Sequence, residues 1–275
     1  MSEAGDRAIP TRIAETLDRM GRSAVGGIAE VGLGAVLLWQ SLYWIVLGRR
    51  REQPVRIAAT FERCMEVGIR ALPIVTMLSV TMGVMFAIQG IYTLRVFGAE
   101  EQVTIGLGIS IVREFGPLLT GIMVAGRTGS SLAARIGTMR ISQEVDALEV
   151  MGINPVRFLV APALIAMVVM VPLLTLWANL MMLIGAGWYV SVDMGMSFAA
   201  YTQRIIDVVE LNDLIHGLSK ATLFSILITL VGVINGANVK GGAEGVGRMT
   251  TRSVVLSISA IIVTDMIFAF ITTRS

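Results

Sequence analysis

The sequence predicts an all-α integral membrane protein with five transmembrane helices and a further apolar segment near its N-terminus. The first observation is composition: 55% of the 275 residues are hydrophobic and 15% are charged, against about 25% charged residues in a soluble domain. The second observation is the mean hydropathy of +0.76, which is typical of a membrane protein. The third observation is segment length, because several uncharged runs reach the roughly 20 residues that a helix needs to cross a bilayer. A membrane barrel would instead show short alternating strands.

Five segments are predicted to span the membrane: 71–94, 102–126, 158–192, 214–239 and 253–273. The third is longer than one straight span, so we expect an interfacial extension near Trp188 and Tyr189. Residues 240–252 are glycine-rich and basic, which predicts a loop between the last two spans.

Two segments precede the first span. Residues 1–23 are polar, lack the apolar core of a signal peptide, and place Ile13, Leu17 and Met20 at the spacing of a short amphipathic helix. Residues 31–48 are uncharged and are followed by three arginines. This pattern fits a membrane span and an interfacial helix equally, and the residues alone leave both open.

Orientation follows from the distribution of lysine and arginine, which favour cytoplasmic loops. One set of loops and loop-proximal helices holds thirteen of them: Arg49, Arg50, Arg51, Arg56, Arg63, Arg70, Arg127, Arg135, Arg140, Arg157, Lys240, Arg248 and Arg252. The opposite set holds Arg95, Arg204 and Arg274. The first set is therefore predicted to be cytosolic, which puts the C-terminus outside and, with five spans, the N-terminus in the cytosol.

Three charged residues lie well inside predicted spans, and Lys220 lies near the start of the fourth. Arg113 and Glu114 interrupt the second span, directly before a Gly-Pro pair that weakens a helix, and Asp265 lies in the fifth. Charge at that depth is costly and marks functional sites. Because adjacent helix residues point about 100° apart, Arg113 and Glu114 need not pair with each other, and Lys220, Asp265 or a second subunit are alternative partners.

The loop 127–157 contains a short predicted helix. Ser142 is a candidate N-cap, and Glu144 and Asp146 follow in the first turn, where negative charge suits the helix dipole. Val145, Leu148 and Met151 share one face, with Glu149 off it, and Gly152 and Pro155 end the helix. The helix either packs back on its own bundle or docks a cytosolic partner.

Several functions are excluded or disfavoured. Neither lysine lies in a G-x-x-x-x-G-K-[ST] phosphate-binding loop, so this chain is not expected to hydrolyse ATP and is predicted to be non-catalytic. His216 is the only histidine and Cys64 the only cysteine, so we expect no metal site and no internal disulfide. We expect no cofactor in this chain and no nucleic-acid partner.

Long ordered motifs between about residues 56 and 273 carry a family resemblance. They are E-F-G-P at 114–117, A-G-R at 125–127 and E-V-D-A-L-E-V-M-G-I-N-P at 144–155, with Q-G at 89–90 and T-T-R at 250–252. They resemble the signature of the MlaE/YrbE-type permeases. These are the membrane subunits of ABC transporters that move phospholipids and related lipids between membranes.

The resemblance implies an organisation and a set of partners. Residues 1–30 would form a cytosolic segment, 31–70 an interfacial helix and a basic connecting helix, and 71–275 the permease domain, with the coupling loop at 127–157. Partners would be a second copy of the chain, ATPase subunits that bind ATP and Mg²⁺, a periplasmic MCE-domain carrier and a small STAS-type regulator. The location would be the bacterial inner membrane, and the role maintenance of outer-membrane lipid asymmetry.

The resemblance also assigns residues. The coupling helix that seats in an ATPase groove corresponds to Glu144, Asp146, Leu148, Glu149, Met151 and Gly152. A phospholipid pocket at the dimer interface corresponds to Val80, Ile88, Ile91, Tyr92, Glu114 and Phe115. One departure is that an aromatic residue is common directly after Gln-Gly in the family, whereas here Ile91 stands there and Tyr92 follows.

An alternative function is a proton- or ion-coupled secondary transporter in which Glu114 and Asp265 titrate. The intramembrane acids and the missing ATP motif favour it. The short chain, the absence of an internal repeat and the elaborate loop helix count against it.

Overall fold

The computed structural model describes residues 8–48 and 55–272, with side chains from position 26 onward except at position 28. All regular elements in these residues are helices. They are α1 (Ala8–Leu47), α2 (Ile57–Val67), α3 (Leu72–Arg95), α4 (Val103–Ser110), α5 (Gly116–Val124), α6 (Ser130–Ile141), α7 (Glu144–Val150), α8 (Ala161–Met194), α9 (Phe198–Val208), α10 (Leu211–Ala237) and α11 (Gly242–Thr272). The predicted all-α membrane class is confirmed.

Six helical stretches in the described residues are long and apolar enough to cross a membrane. Five correspond to the predicted spans, and α3 and α10 agree with the prediction within a few residues. The sixth, Ala29–Leu47, is the C-terminal part of α1. The interfacial placement of this segment stays a prediction, and the arginines at 49–51 lie outside the described residues, as does Arg274.

Three predicted boundaries can be compared with the structure. The predicted loop at 240–252 is wrong, because α11 already begins at Gly242 and packs there against α6. That packing outweighs the low helix propensity of its glycines. The predicted extension near Trp188 continues α8 without a break to Met194. The predicted boundary at residue 30 lies inside α1, which runs as one helix from Ala8.

The second span is a continuous rod from Val103 to Ile141, built from α4, α5 and α6. Two π-helical segments join these helices, Ile111–Phe115 and Ala125–Gly129. The first lies directly before Pro117, which has no backbone N–H to donate. A π segment adds a residue to one turn and is frequent at functional sites. The predicted weak point is therefore a widened turn within a continuous helix.

Glycines let α3 and α8 approach closely. A Cβ atom added at Gly83 would lie 2.0 Å from the carbonyl oxygen of Met182, and one at Gly185 would lie 2.4 Å from that of Val80. Small residues allow such backbone contact between membrane helices. Nearby, Trp177 Nε1 donates a hydrogen bond of 2.8 Å to Thr76 Oγ1 across the same pair.

Four small residues follow one another at close spacing in the rod of the second span, Gly121, Ala125, Gly126 and Gly129, and they divide into two groups. A Cβ on Gly121 or Gly129 would lie about 3 Å from Phe224 or Ile228 of α10, and Ala125 is fully buried. A Cβ on Gly126 would meet nothing within 4 Å. Three of the four residues therefore mediate helix packing.

The described members of the two basic sets lie at opposite ends of the bundle. At one end Arg95 pairs with Asp193, and Arg204 donates to the carbonyl oxygen of Glu101. At the other, Arg252 pairs with Glu30 at the start of the apolar part of α1. We call these the outer end and the arginine-rich end.

We expect Gly83→Ala to lower the free energy of unfolding by about 1–3 kcal/mol, because its methyl group forces α3 and α8 apart. The measurement is chemical unfolding of the purified chain in mixed micelles. Gly126→Ala is the matched control, since it adds the same methyl group in open space. Equal effects of the two substitutions would contradict the close-packing account.

Candidate functional site

A buried lysine connects three helices inside the bundle. The Lys220 side chain on α10 is fully buried, and its Nζ forms ion pairs with Glu114 Oε2 and, at 3.0 Å, with Asp265 Oδ1. Glu114 belongs to the first π segment and Asp265 to α11. A lysine removed from water is stable only when such partners compensate its charge. Of the partners considered for Glu114, the structure selects Lys220.

Arg113 points to a different partner. Its Nη1 lies 3.4 Å from Oδ1 of Asp213 in the first turn of α10. Arg113 and Glu114 therefore bind separate residues of the same helix, as their angular separation allows. The three predicted intramembrane charges all belong to one network centred on α10.

Close backbone contact positions the network. A Cβ on Gly217 of α10 would lie 2.3 Å from the carbonyl oxygen of Val112 in the π segment. A Cβ on Gly116 would lie 1.5 Å from Oδ1 of Asn179 on α8, and this oxygen accepts no hydrogen bond from the described residues. The absence of side chains at the two glycines brings α8 and α10 against the widened turn.

A cavity of about 310 Å³ lies between α3 and α4, next to this network. Its wall is largely apolar, with polar groups from Gln89, Thr93 and Ser110. Phe86 and Phe115 stack at one side with their ring centroids 4.1 Å apart. Because Phe115 directly follows Glu114, the cavity adjoins the ion-paired cluster. An apolar wall with few polar groups suits an aliphatic ligand.

The structure separates the residues predicted to form the lipid pocket. Phe115 lines the cavity, and Glu114 lies beside it. Ile91 is only 2% exposed and belongs to the hydrophobic core, so it does not face the cavity. Ile88 and Tyr92 project from the exposed face of α3.

Val80 does not line this cavity either, since it is half-buried where its backbone contacts Gly185 of α8. α4 contributes four residues to the cavity wall that were not predicted from the sequence: Val103, Gly106, Leu107 and Ser110. Their spacing of three to four residues on one helix face was an available signal.

The short helix in the loop is present as α7, but its N-terminus differs from the prediction. The N-cap is Gln143, in a left-handed conformation with φ of 60°. The predicted N-cap role of Ser142 is wrong. Its hydroxyl donates to the carbonyl oxygen of Thr138, so this residue belongs to the end of α6. Gly152 does end α7, with φ of 75°, and Ile153 N–H donates to the Leu148 carbonyl oxygen in a Schellman motif.

The structure divides the apolar stripe predicted on α7. Leu148 is 8% exposed and packs inward, and Val145 is half-buried. Val150 is 89% and Met151 64% exposed, and the acidic residues Glu144, Asp146 and Glu149 are exposed as well. α7 therefore packs on its own chain through Leu148 and presents an apolar tip edged with acid.

Comparisons with known proteins identify a matching family and similar sequences. The family model described as "Permease MlaE" matches residues 60–271. A probable ABC transporter permease protein of Rickettsia typhi is 31% identical over 255 residues, covering 90% of this chain and 96% of the relative. The intermembrane phospholipid transport system permease protein MlaE of Haemophilus influenzae is 31% identical over 212 residues, covering 74% and 79%. The Arabidopsis thaliana chloroplastic protein TRIGALACTOSYLDIACYLGLYCEROL 1 is 31% identical over 216 residues, covering 76% and 60%.

We expect Lys220→Met to destabilise the chain by about 1–3 kcal/mol, because it leaves the partly buried carboxylates of Glu114 and Asp265 without their cation. Chemical unfolding in mixed micelles measures the change. Lys240→Met is the control, since Lys240 is the other lysine and is exposed.

A triple variant tests whether the loss of the ion pairs causes this destabilisation. Adding Glu114→Gln and Asp265→Asn to Lys220→Met removes the unpaired charges and should restore part of the lost stability. No recovery in the triple variant would show that lost packing, and not unpaired charge, causes the effect.

Proposed function

Because this chain belongs to the MlaE permease family, we propose that it is the membrane-spanning subunit of an ABC transporter that moves phospholipids between the inner membrane and a periplasmic carrier. The observation that carries the proposal is the largely apolar cavity between α3 and α4, next to the Lys220 ion pairs. Acyl chains suit its wall, and the adjacent polar groups suit the ester and headgroup region of a phospholipid.

The size of the cavity supports a homodimer. At about 310 Å³ it lies near the lower end of the roughly 300–1,000 Å³ typical of ligand sites, which is small for a lipid with two acyl chains. The neighbouring face of α3 exposes Met85, Ile88 and Tyr92. A second copy packed against this face would enlarge the cavity and bring Ile88 and Tyr92 to its wall. Val80 and Ile91 would remain supporting residues within α3.

ATP hydrolysis belongs to a separate subunit in this proposal, with ATP and Mg²⁺ bound there. The exposed tip of α7, Val150 and Met151, would enter an apolar groove of that subunit. Glu144, Asp146 and Glu149 would meet basic residues at its rim, while Leu148 holds α7 on α6. Gly152 sets the turn that returns the chain to the membrane.

The orientation proposed from the arginine distribution puts α7 in the cytosol and the outer end of the bundle toward the periplasm. A ring-forming MCE-domain carrier would receive or deliver lipid at the outer end. A small STAS-type regulator would act on the ATPase side. Maintenance of outer-membrane lipid asymmetry is the cellular role that this arrangement serves.

The proton-coupled alternative is not favoured. The Rickettsia and Haemophilus relatives are named as transporter permeases of the ABC or intermembrane phospholipid type. Lys220 also pairs with both Glu114 and Asp265, so neither acid is held apart as a lone titrating group.

Gly106→Phe should remove most of the phospholipid that co-purifies with the chain, because its ring fills the cavity from a position with open space around it. Native mass spectrometry of the complex, purified gently from its own membranes, measures the bound lipid. Gly106→Ala adds a single methyl group and should retain the lipid. Full lipid occupancy in Gly106→Phe would contradict the assignment of this cavity.

Val150→Arg should reduce ATPase subunit binding at least tenfold without lowering the unfolding temperature, because the side chain is exposed at the docking tip. The same mass spectra count ATPase subunits per dimer. Val96→Arg is the control, since Val96 is a similarly exposed valine at the outer end. A chain that retains its ATPase subunits despite Val150→Arg would exclude this tip as the docking surface.

A further inference from the structure

A second pocket lies at the arginine-rich end of the bundle, separate from the cavity between α3 and α4. It has a volume of about 200 Å³ and is formed by one face each of α2, α6 and the start of the third span. The α2 residues recur at helical spacing, from Arg56 to Arg63, and those of α6 run from Leu132 to Met139. Three separate segments of the chain therefore build one concavity.

Three arginines line this pocket, and two are held by other side chains. The guanidinium carbon of Arg56 lies 5.3 Å from the centre of the Phe158 ring, a cation–π contact that holds it at the wall. Arg63 is anchored by an ion pair with Glu66 at 2.5 Å, and its side chain is 17% exposed. Arg135 projects from α6 on the facing wall.

The charge balance of the pocket favours a ligand with one negative charge. Three guanidinium groups and one carboxylate, that of Glu62, line the pocket, and Glu66 outside the lining neutralises Arg63. The surplus is one positive charge. A phosphodiester carries one negative charge, and its oxygens accept the paired N–H donors of arginine.

The apolar floor distinguishes a lipid from free phosphate. Leu132, Ile136, Leu159 and Pro162 also line the pocket and are at least half-buried, and apolar side chains contribute nothing to the binding of a small hydrophilic ion. They match the glycerol and first methylene groups of a phospholipid. Basic pockets between transmembrane helices on the cytoplasmic side commonly bind anionic headgroups.

We propose that this pocket binds the headgroup phosphate of an anionic phospholipid of the adjacent leaflet. The lipid would bridge α2 and α6, and α6 leads directly into α7. It would act as a fixed ligand that holds the base of the docking helix, separate from any lipid in the cavity between α3 and α4. The proposal does not depend on the transport function and is tested by binding alone.

The experiment uses the full chain in phosphatidylcholine nanodiscs with increasing phosphatidylglycerol. Wild type should unfold at higher temperature as phosphatidylglycerol is added. Arg56→Gln with Arg135→Gln should need at least tenfold more of it for half of the shift. Arg140→Gln is the matched control, because Arg140 is exposed at the same end and pairs with Asp146 outside the pocket. An unchanged half-point in the double variant would overturn the proposal.

Inorganic phosphate added to nanodiscs of pure phosphatidylcholine identifies the source of the anion. It should leave the unfolding temperature unchanged, and a shift equal to that of phosphatidylglycerol would overturn the lipid assignment. Should the double variant fail to fold, Met139→Trp puts a fluorophore at the pocket wall. Brominated phosphatidylglycerol should then quench the added fluorescence more than brominated phosphatidylcholine, and equal quenching would overturn the proposal.

Discussion

The outer half of the bundle depends on the ion pairs of the buried Lys220 ammonium group. Removing a charge from water costs several kcal/mol, and the two carboxylates that face it offset this cost. Because those carboxylates come from the π segment and from α11, the requirement to neutralise one lysine fixes α10 against both. The position of Phe115, and with it one wall of the cavity, follows from the same constraint.

Glycine contacts make this arrangement sterically feasible. Lys220 reaches Glu114 because Gly217, one turn earlier on α10, lets the backbone touch the widened turn at Val112. Gly116 does the same for α8 on the opposite side, and Gly83 with Gly185 seats α3 on α8. Backbone contact without side chains is the usual means of close packing where no hydrophobic effect drives helices together.

One continuous helix connects the features at the two ends. The rod from Val103 to Ile141 carries the cavity residues and Glu114 in its outer part and leads into α7 at the arginine-rich end. A displacement of α7 by a docked partner would therefore move the rod to which the cavity wall belongs. The π segment Ala125–Gly129 lies midway along the rod. Its stiffness would decide how much of such a movement reaches the cavity wall.

The sequence by itself determined the membrane class, the positions of α3 and α10, and the end of α7 at Gly152, because apolar length and a glycine-dependent turn are local properties. It also identified Lys220 among the candidate partners of Glu114. Only the tertiary structure decided that Ile91 belongs to the core and that Phe86 lines the cavity. It also decided that Leu148 packs inward while Val150 is exposed, and that α11 starts at Gly242. Each of these depends on which neighbouring helix covers a given face, and residues distant in the chain supply that cover.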